Sequence, residues 1–121
     1  LLIFYVDPEV PKQNHDFITY IEETGRVQGP NIEGFGIVNL KDAVYPNNVV
    51  RKIADARTAK NGATILCDPD HYVSSAWRLG DCNNMFVIML VNKAGELVYV
   101  HKGEMDEKAQ QEFLAAAEPL R

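Results

Sequence analysis

The residues able to do chemistry here are few, and the first are Cys67 and Cys82, the only cysteines of the 121-residue chain. A cysteine attacks as its thiolate, so a catalytic one needs a cation or a helix N-terminus to lower its pKa. Cys82 stands between Asp81 and Asn83. Those polar flanks imply exposure, and the acid should raise the thiol pKa rather than lower it. Cys67 ends an apolar run and reads more simply as a small buried hydrophobe. A second cluster, Asp68, Asp70 and His71, offers oxygen and nitrogen ligands of the kind that hold Zn²⁺ or Ca²⁺. Three donors from one turn, with no second contributing segment, fall short of a coordination shell. Asp-Pro-Asp is more simply turn chemistry, and no metal or cofactor is expected. The third group is Asp7, Glu9 and Lys12, set among Pro8 and Pro11. Glu9 and Lys12 could pair on a solvated turn, worth ~0 to 1 kcal/mol. Alternatively, the three charges form a rim that recognises a partner. No nucleophile elbow, phosphate-cradling glycine loop or Ser/His/Asp order is present.

The elements that must position these groups follow from the apolar pattern. Leu1 to Val6 is too short for a buried helix and reads as a strand buried on both faces. It runs through Asp7-Pro8 into a helix over Asn14 to Gly25, with Phe17, Ile18 and Ile21 on its inner stripe and Gly25 as C-cap. The loop between them lies at the carboxyl end of a strand, where open α/β sheets keep their chemistry. Further strands are expected over Phe35 to Leu40, Ala63 to Cys67, Met85 to Val91 and Glu96 to His101. Asn48 to Lys60 repeats Val49, Val50, Ile53 and Ala54 at helical spacing. A short helix over His71 to Leu79 should bury Tyr72, Val73 and Trp77. Asp106 caps a last helix, with Glu107 in its first turn and Ala109, Phe113, Ala116 and Ala117 inward.

Length and composition limit the function classes. The chain reads as one domain, 1–121, able to bury roughly two-thirds of its unfolded surface. Its net charge is −5, from 17 acids and 12 bases, and its cations are scattered. Nucleic-acid binding needs a cationic face, so it is not expected. No run reaches the ~18 to 20 apolar residues of a membrane span. The sequence starts at Leu1 inside a strand, which reads as a processed product that a signal peptide once preceded.

Taken together, "LLIFYVDPEVPK", "GIVNLKDA", "ILCDPDHYVSSAWRL" and "VIMLVNKAGELVYVHKGEM" resemble, in order, the thioredoxin superfamily in its secreted thiol-disulfide and peroxiredoxin-related branch. The closest resemblance is to the YtfJ-type group of bacterial proteins that lack the cysteine pair. It implies a three-layer α/β/α sandwich with a five-stranded mixed sheet in the order 3-2-1-4-5, strand 4 antiparallel to strand 1. It sets Glu9, Val10, Pro11 and Lys12 where relatives carry Cys-x-Pro-Cys. The cis-proline expected near Phe86 is missing too, since "GDCNNMFVIML" contains no proline. In the implied order, three strand spacings of ~4.8 Å separate Cys67 from Cys82. A disulfide, which needs Cα atoms within ~7 Å, would require a loop excursion around Cys82.

The resemblance thus implies a redox-inactive, periplasmic or secreted binding module for a protein or peptide. Its docking edge would comprise Asp7, Glu9, Pro11, Lys12, Asn84 and Phe86. The alternative is a thiol-dependent redox protein using Cys82, with or without Cys67. A metal-carrying domain built on Asp68, Asp70 and His71 is a third reading.

Overall fold

A computed structural model describes residues 1–10, 12–43, 46, 48–52, 55, 59 and 64–121. Among them, five strands form one sheet: β1 (Leu2–Val6), β2 (Gly34–Asn39), β3 (Ile65–Asp68), β4 (Phe86–Val91) and β5 (Leu97–Lys102). Their order is β3-β2-β1-β4-β5, with β1·β2 and β2·β3 parallel and β1·β4 and β4·β5 antiparallel. This is the order and the sense of β4 expected above. The helices are α1 (His15–Thr24), the short α2 (Tyr72–Ala76) and α3 (Glu107–Ala117), followed by a 3₁₀ turn at Glu118–Leu120. Residues 48–52, 55 and 59 are also helical; the expected contributions of Ile53 and Ala54 lie outside the described residues, as do Pro11 and Ala63.

The period of two along β1 and β4 divides the interior into two cores. Leu2, Phe86, Ile88 and Leu90 face Phe17 and Ile21 of α1 and Ala109, Phe113, Leu114 and Ala117 of α3. Phe113 is fully buried, edge-on to Phe17 with ring centroids 5.7 Å apart. On the other face Ile3, Tyr5, Ile37, Val87, Met89 and Val91 meet Leu79 and Cys82, with Val73 and Trp77 packed alongside. Every residue of β4 is buried, which is why a continuous apolar run can occupy the position beside the central strand.

Three expectations need correction. Tyr72 is exposed rather than buried, because it opens α2 and commits its backbone N–H to Asp68 while its ring points to solvent. The helix expected over His71 to Leu79 spans only Tyr72–Ala76, since Arg78 (φ 53°) and Gly80 (φ 74°) turn left-handed and end it. β3 extends to Asp68, whose carbonyl accepts from Leu40 N at 2.9 Å and keeps it in the ladder.

The caps expected for the long helices are present. Asp106 accepts from Ala109 N at 2.8 Å, and Gly25 adopts φ 65° after α1. Asn14, left-handed at φ 62°, was not singled out in the sequence. Its Nδ2 donates to Gly103 O and its Oδ1 accepts from Met105 N, strapping the start of α1 to the segment leading into α3.

Candidate functional site

Four chain segments meet at the carboxyl end of the parallel strands. They are the loops after β1, β2 and β3, and the approach to β4, whose first residue Phe86 pairs with Val6 at the end of β1. The topology itself therefore gathers polar side chains here.

Asp7, the first residue after β1, is 1% exposed. Its Oδ1 accepts from Glu9 N at 3.0 Å and its Oδ2 from Asn84 N at 2.8 Å. Asn84 takes φ 56°, a left-handed conformation that asparagine tolerates, to present that N–H. Burial pushes the Asp7 carboxyl up; the Asn84 N–H opposes the rise, and the nearby Asp42 carboxylate adds to it. The folded state therefore favours the protonated acid. Its stabilising contribution is full below the ordinary carboxyl pKa and is lost as pH rises through the raised one. Asp7→Asn removes that proton linkage. Its stability relative to wild type, measured by urea unfolding at a series of pH values, is expected to climb with pH from about 4 upward. A difference independent of pH would mean that Asp7 titrates normally.

Asp68 behaves in the opposite sense. It is 3% exposed and accepts from Tyr5 Oη (2.9 Å), Asp70 N (3.2 Å), Tyr72 N (2.9 Å) and Val73 N (2.9 Å). Burial by itself would raise this carboxyl, but the three backbone N–H groups and the Tyr5 hydroxyl outweigh it and hold the acid below its ordinary range. Tyr5 in turn is raised, by burial first and then by its bond to the Asp68 carboxylate. Asp68 is thus a structural anion that ties β1 to the start of α2. Asp70 points elsewhere, to Lys41 at 3.7 Å, and His71 Nε2 lies 2.8 Å from Asp42 Oδ1, close but not aligned as a hydrogen bond. The three residues that suggested a metal site thus face three different partners, and among the described residues no His, Cys, Asp or Glu trio converges as one.

Cys82 is buried (3% exposed), contrary to what its polar flanks imply. Asp81 and Asn83 stay exposed while the thiol between them turns into the second core, donating weakly to Gly80 O at 3.7 Å. Burial raises the thiol pKa first; the Lys102 ammonium opposes this, and the Asp81 and Asp42 carboxylates reinforce it. Cys67 is half-buried on edge strand β3 and in register with Val38 and, through it, Val6 of the first core. The cysteines therefore lie on opposite faces of the sheet, and both are free.

Cys82 forms one wall of a pocket of about 460 Å³, shared with Asp42, His71, Ser74, Ser75, Gly80 and Asp81. Asp42 also accepts from Asn39 Nδ2 at 2.8 Å.

The expected docking edge is only partly on the surface. Glu9 is half-buried, and Lys12 and Asn84 are exposed. Asp7 and Phe86 lie beneath, Phe86 against Phe4 at 5.6 Å, and Pro11 is outside the described residues. Gln13, unnoticed in the sequence, accepts from Phe86 N at 2.8 Å and joins this loop to β4. Among the described residues no peptide bond is cis. None of their helices is long and apolar enough to cross a membrane.

This sheet, with β1 central and helices packed around it, is a thioredoxin-like α/β fold. Solved structures share it, among them two bacterial proteins. One is a protein of Neisseria meningitidis assigned as a thioredoxin, 15% identical over 98% of this chain and 73% of its own, with a TM-score of 0.60. The other is the pneumococcal exposed lipoprotein thioredoxin of Streptococcus pneumoniae, 14% identical over 94% of this chain and 82% of its own, with a TM-score of 0.61. At such identities the likeness is one of fold. No family model matches the sequence, and neither does any curated protein.

Proposed function

We propose that the chain is a redox-inactive thioredoxin-like domain that binds a protein or peptide at the carboxyl end of its sheet. In this reading it serves a bacterial periplasmic or secreted protein of the YtfJ-type group. The observation that carries it is the junction between β1 and α1, which contains no sulfur; the resemblance to thioredoxins sets Glu9 and Lys12 where a dithiol would stand. Thiol-disulfide exchange needs an accessible thiolate and a second sulfur to resolve the mixed disulfide. Cys82 is buried with a raised pKa, and Cys67 lies half-buried on the opposite face of the sheet. The exposed Lys12, and the exposed Asn84 whose backbone N–H donates to the buried Asp7, supply polar docking groups in their stead.

A second reading, a redox protein using Cys82, draws support from the pocket that Cys82 lines together with His71 and Asp42. Insulin reduction with dithiothreitol as electron donor separates the two. The binding reading expects a rate equal to the protein-free control, and turnover abolished by Cys82→Ser would establish the redox reading instead.

A further inference from the structure

The segment 80–85 that leads into β4 carries Cys82 into the second core and Asn84 to the surface. Asp7 fastens it to the loop after β1. The Asp7 N–H donates to Met85 O at 3.1 Å, and its Oδ2 accepts from Asn84 N at 2.8 Å. Its Oδ1 accepts from Glu9 N at 3.0 Å. Among the described residues those two backbone N–H groups are the donors to this carboxyl, and it forms no ion pair. Asp68, equally buried, has four donors. A carboxylate 1% exposed with two donors and no counter-charge is poorly compensated for the water it lost.

The charged groups around Asp7 do not make up the difference. Asp42, from the loop after β2, repels a second negative charge. Glu9 and Lys12 belong to Asp7's own loop, Lys12 with its side chain exposed, and Asp81 is exposed on the approach to β4. Lys102 of β5 is held elsewhere, donating to Leu79 O at 2.7 Å. Asn84 meanwhile keeps φ 56°, a conformation asparagine tolerates rather than prefers, so little besides these bonds fixes its place. Lifting Asn84 admits water to Asp7, and the ionised carboxyl gains far more from that hydration than the neutral acid does. The closed arrangement therefore binds the proton more tightly than the open one, and opening becomes easier as pH rises.

We propose that Asp7 is a proton-operated latch: protonated, it keeps the segment 80–85 closed over the end of the sheet, and ionised, it lets that segment lift and uncover Cys82. The latch is made of the chain's own groups and does not depend on what the docking edge binds.

The test is amide hydrogen exchange of the ¹⁵N,¹³C-labelled chain by NMR between pH 4 and 8, each rate divided by the intrinsic rate at that pH. The Asp7 carboxyl ¹³C shift is followed in the same samples. Protection of the Asn84 amide is expected to fall by at least about threefold, with the midpoint of the Asp7 titration. Because the opening is local, this exchange should be insensitive to about 1 M urea, whereas the amides of β4 respond to it. Asp7→Asn should flatten the pH profile, and Asp42→Asn should move its midpoint down without removing it. Protection that is constant or rises with pH would overturn the proposal, since the hydrogen bond to the carboxylate would then outweigh its hydration. So would a profile that survives Asp7→Asn, or a urea response at Asn84 equal to that of β4. Should Asp7→Asn not fold, the wild-type midpoints decide, and a mismatch between Asn84 protection and the Asp7 titration overturns the latch.

Discussion

Replacing Asp68 by alanine is expected to lower the unfolding free energy at pH 7 by about 3–5 kcal/mol, because hydrogen bonds to a buried charged acceptor contribute more than neutral ones. Four donors converge on this carboxylate, and three are backbone N–H groups at the start of α2. The fourth, the Tyr5 hydroxyl, is fully buried at the central strand and would be left without its acceptor. Asp68→Asn keeps one acceptor oxygen but turns an amide NH₂ toward the remaining donors, so it should recover only part of the loss. The pH dependence provides a separate check. The folded-state pKa of Asp68 lies below its unfolded value, so its contribution is complete above the ordinary carboxyl range. That contribution is lost as pH falls through the lowered pKa. Wild type and Asp68→Ala should therefore converge in stability on acidification. A loss at pH 7 below about 1 kcal/mol, the size of an ordinary substitution, would show that solvent satisfies these donors and that Asp68 does not hold α2.

The second large effect concerns sulfur. In the native protein Cys82 is expected to react with an aromatic disulfide reagent at pH 8 at least about 100-fold more slowly than in denaturant, since attack must wait for local opening. Cys67, half-buried on an edge strand, should react well before it, so the native time course should be biphasic and collapse to one fast phase on unfolding. The Cys67→Ser variant isolates the Cys82 phase. Rapid stoichiometric labelling of that variant would mean that the 80–84 segment opens readily, and it would restore Cys82 as a redox candidate. Oxidation of the wild-type chain should yield no intramolecular disulfide, because the two cysteines lie on opposite faces of the sheet.

These two results test the parts of the site that were least legible in the sequence. Leu1 to Val6 could be read as a central strand because six apolar residues in a row suit burial on two faces, and β4 announces itself in the same way. Asp106 could be read as a cap because capping is local, settled within four residues. Asp68 left a partial signal: an acid just before a short helix is a natural acceptor for its first N–H groups, and a tyrosine inside a buried strand needs a hydrogen-bond partner. Nothing in the sequence joined the two, since 63 positions separate Tyr5 from Asp68. The same holds for Asp7 with Asn84, 77 positions apart, and for Gln13 with Phe86, 73 apart. The polar neighbours of Cys82 point to exposure, but the thiol between them does not share their environment. In an irregular segment, adjacent side chains can point in opposite directions.

The sequence by itself determined the succession of strands and helices along the chain and the absence of sulfur between β1 and α1, while the sheet order was implied only by the resemblance to thioredoxins. The first two are carried by local pattern, the runs of apolar residues and the identities of residues 7 to 14. Only the tertiary structure decided that Asp7 and Asp68 are pushed in opposite directions, that the cysteines are held apart, and that an acidic pocket forms between loops distant in the chain. Those outcomes depend on which face of the sheet each side chain meets and on which donors surround a buried charge. Packing in three dimensions sets both.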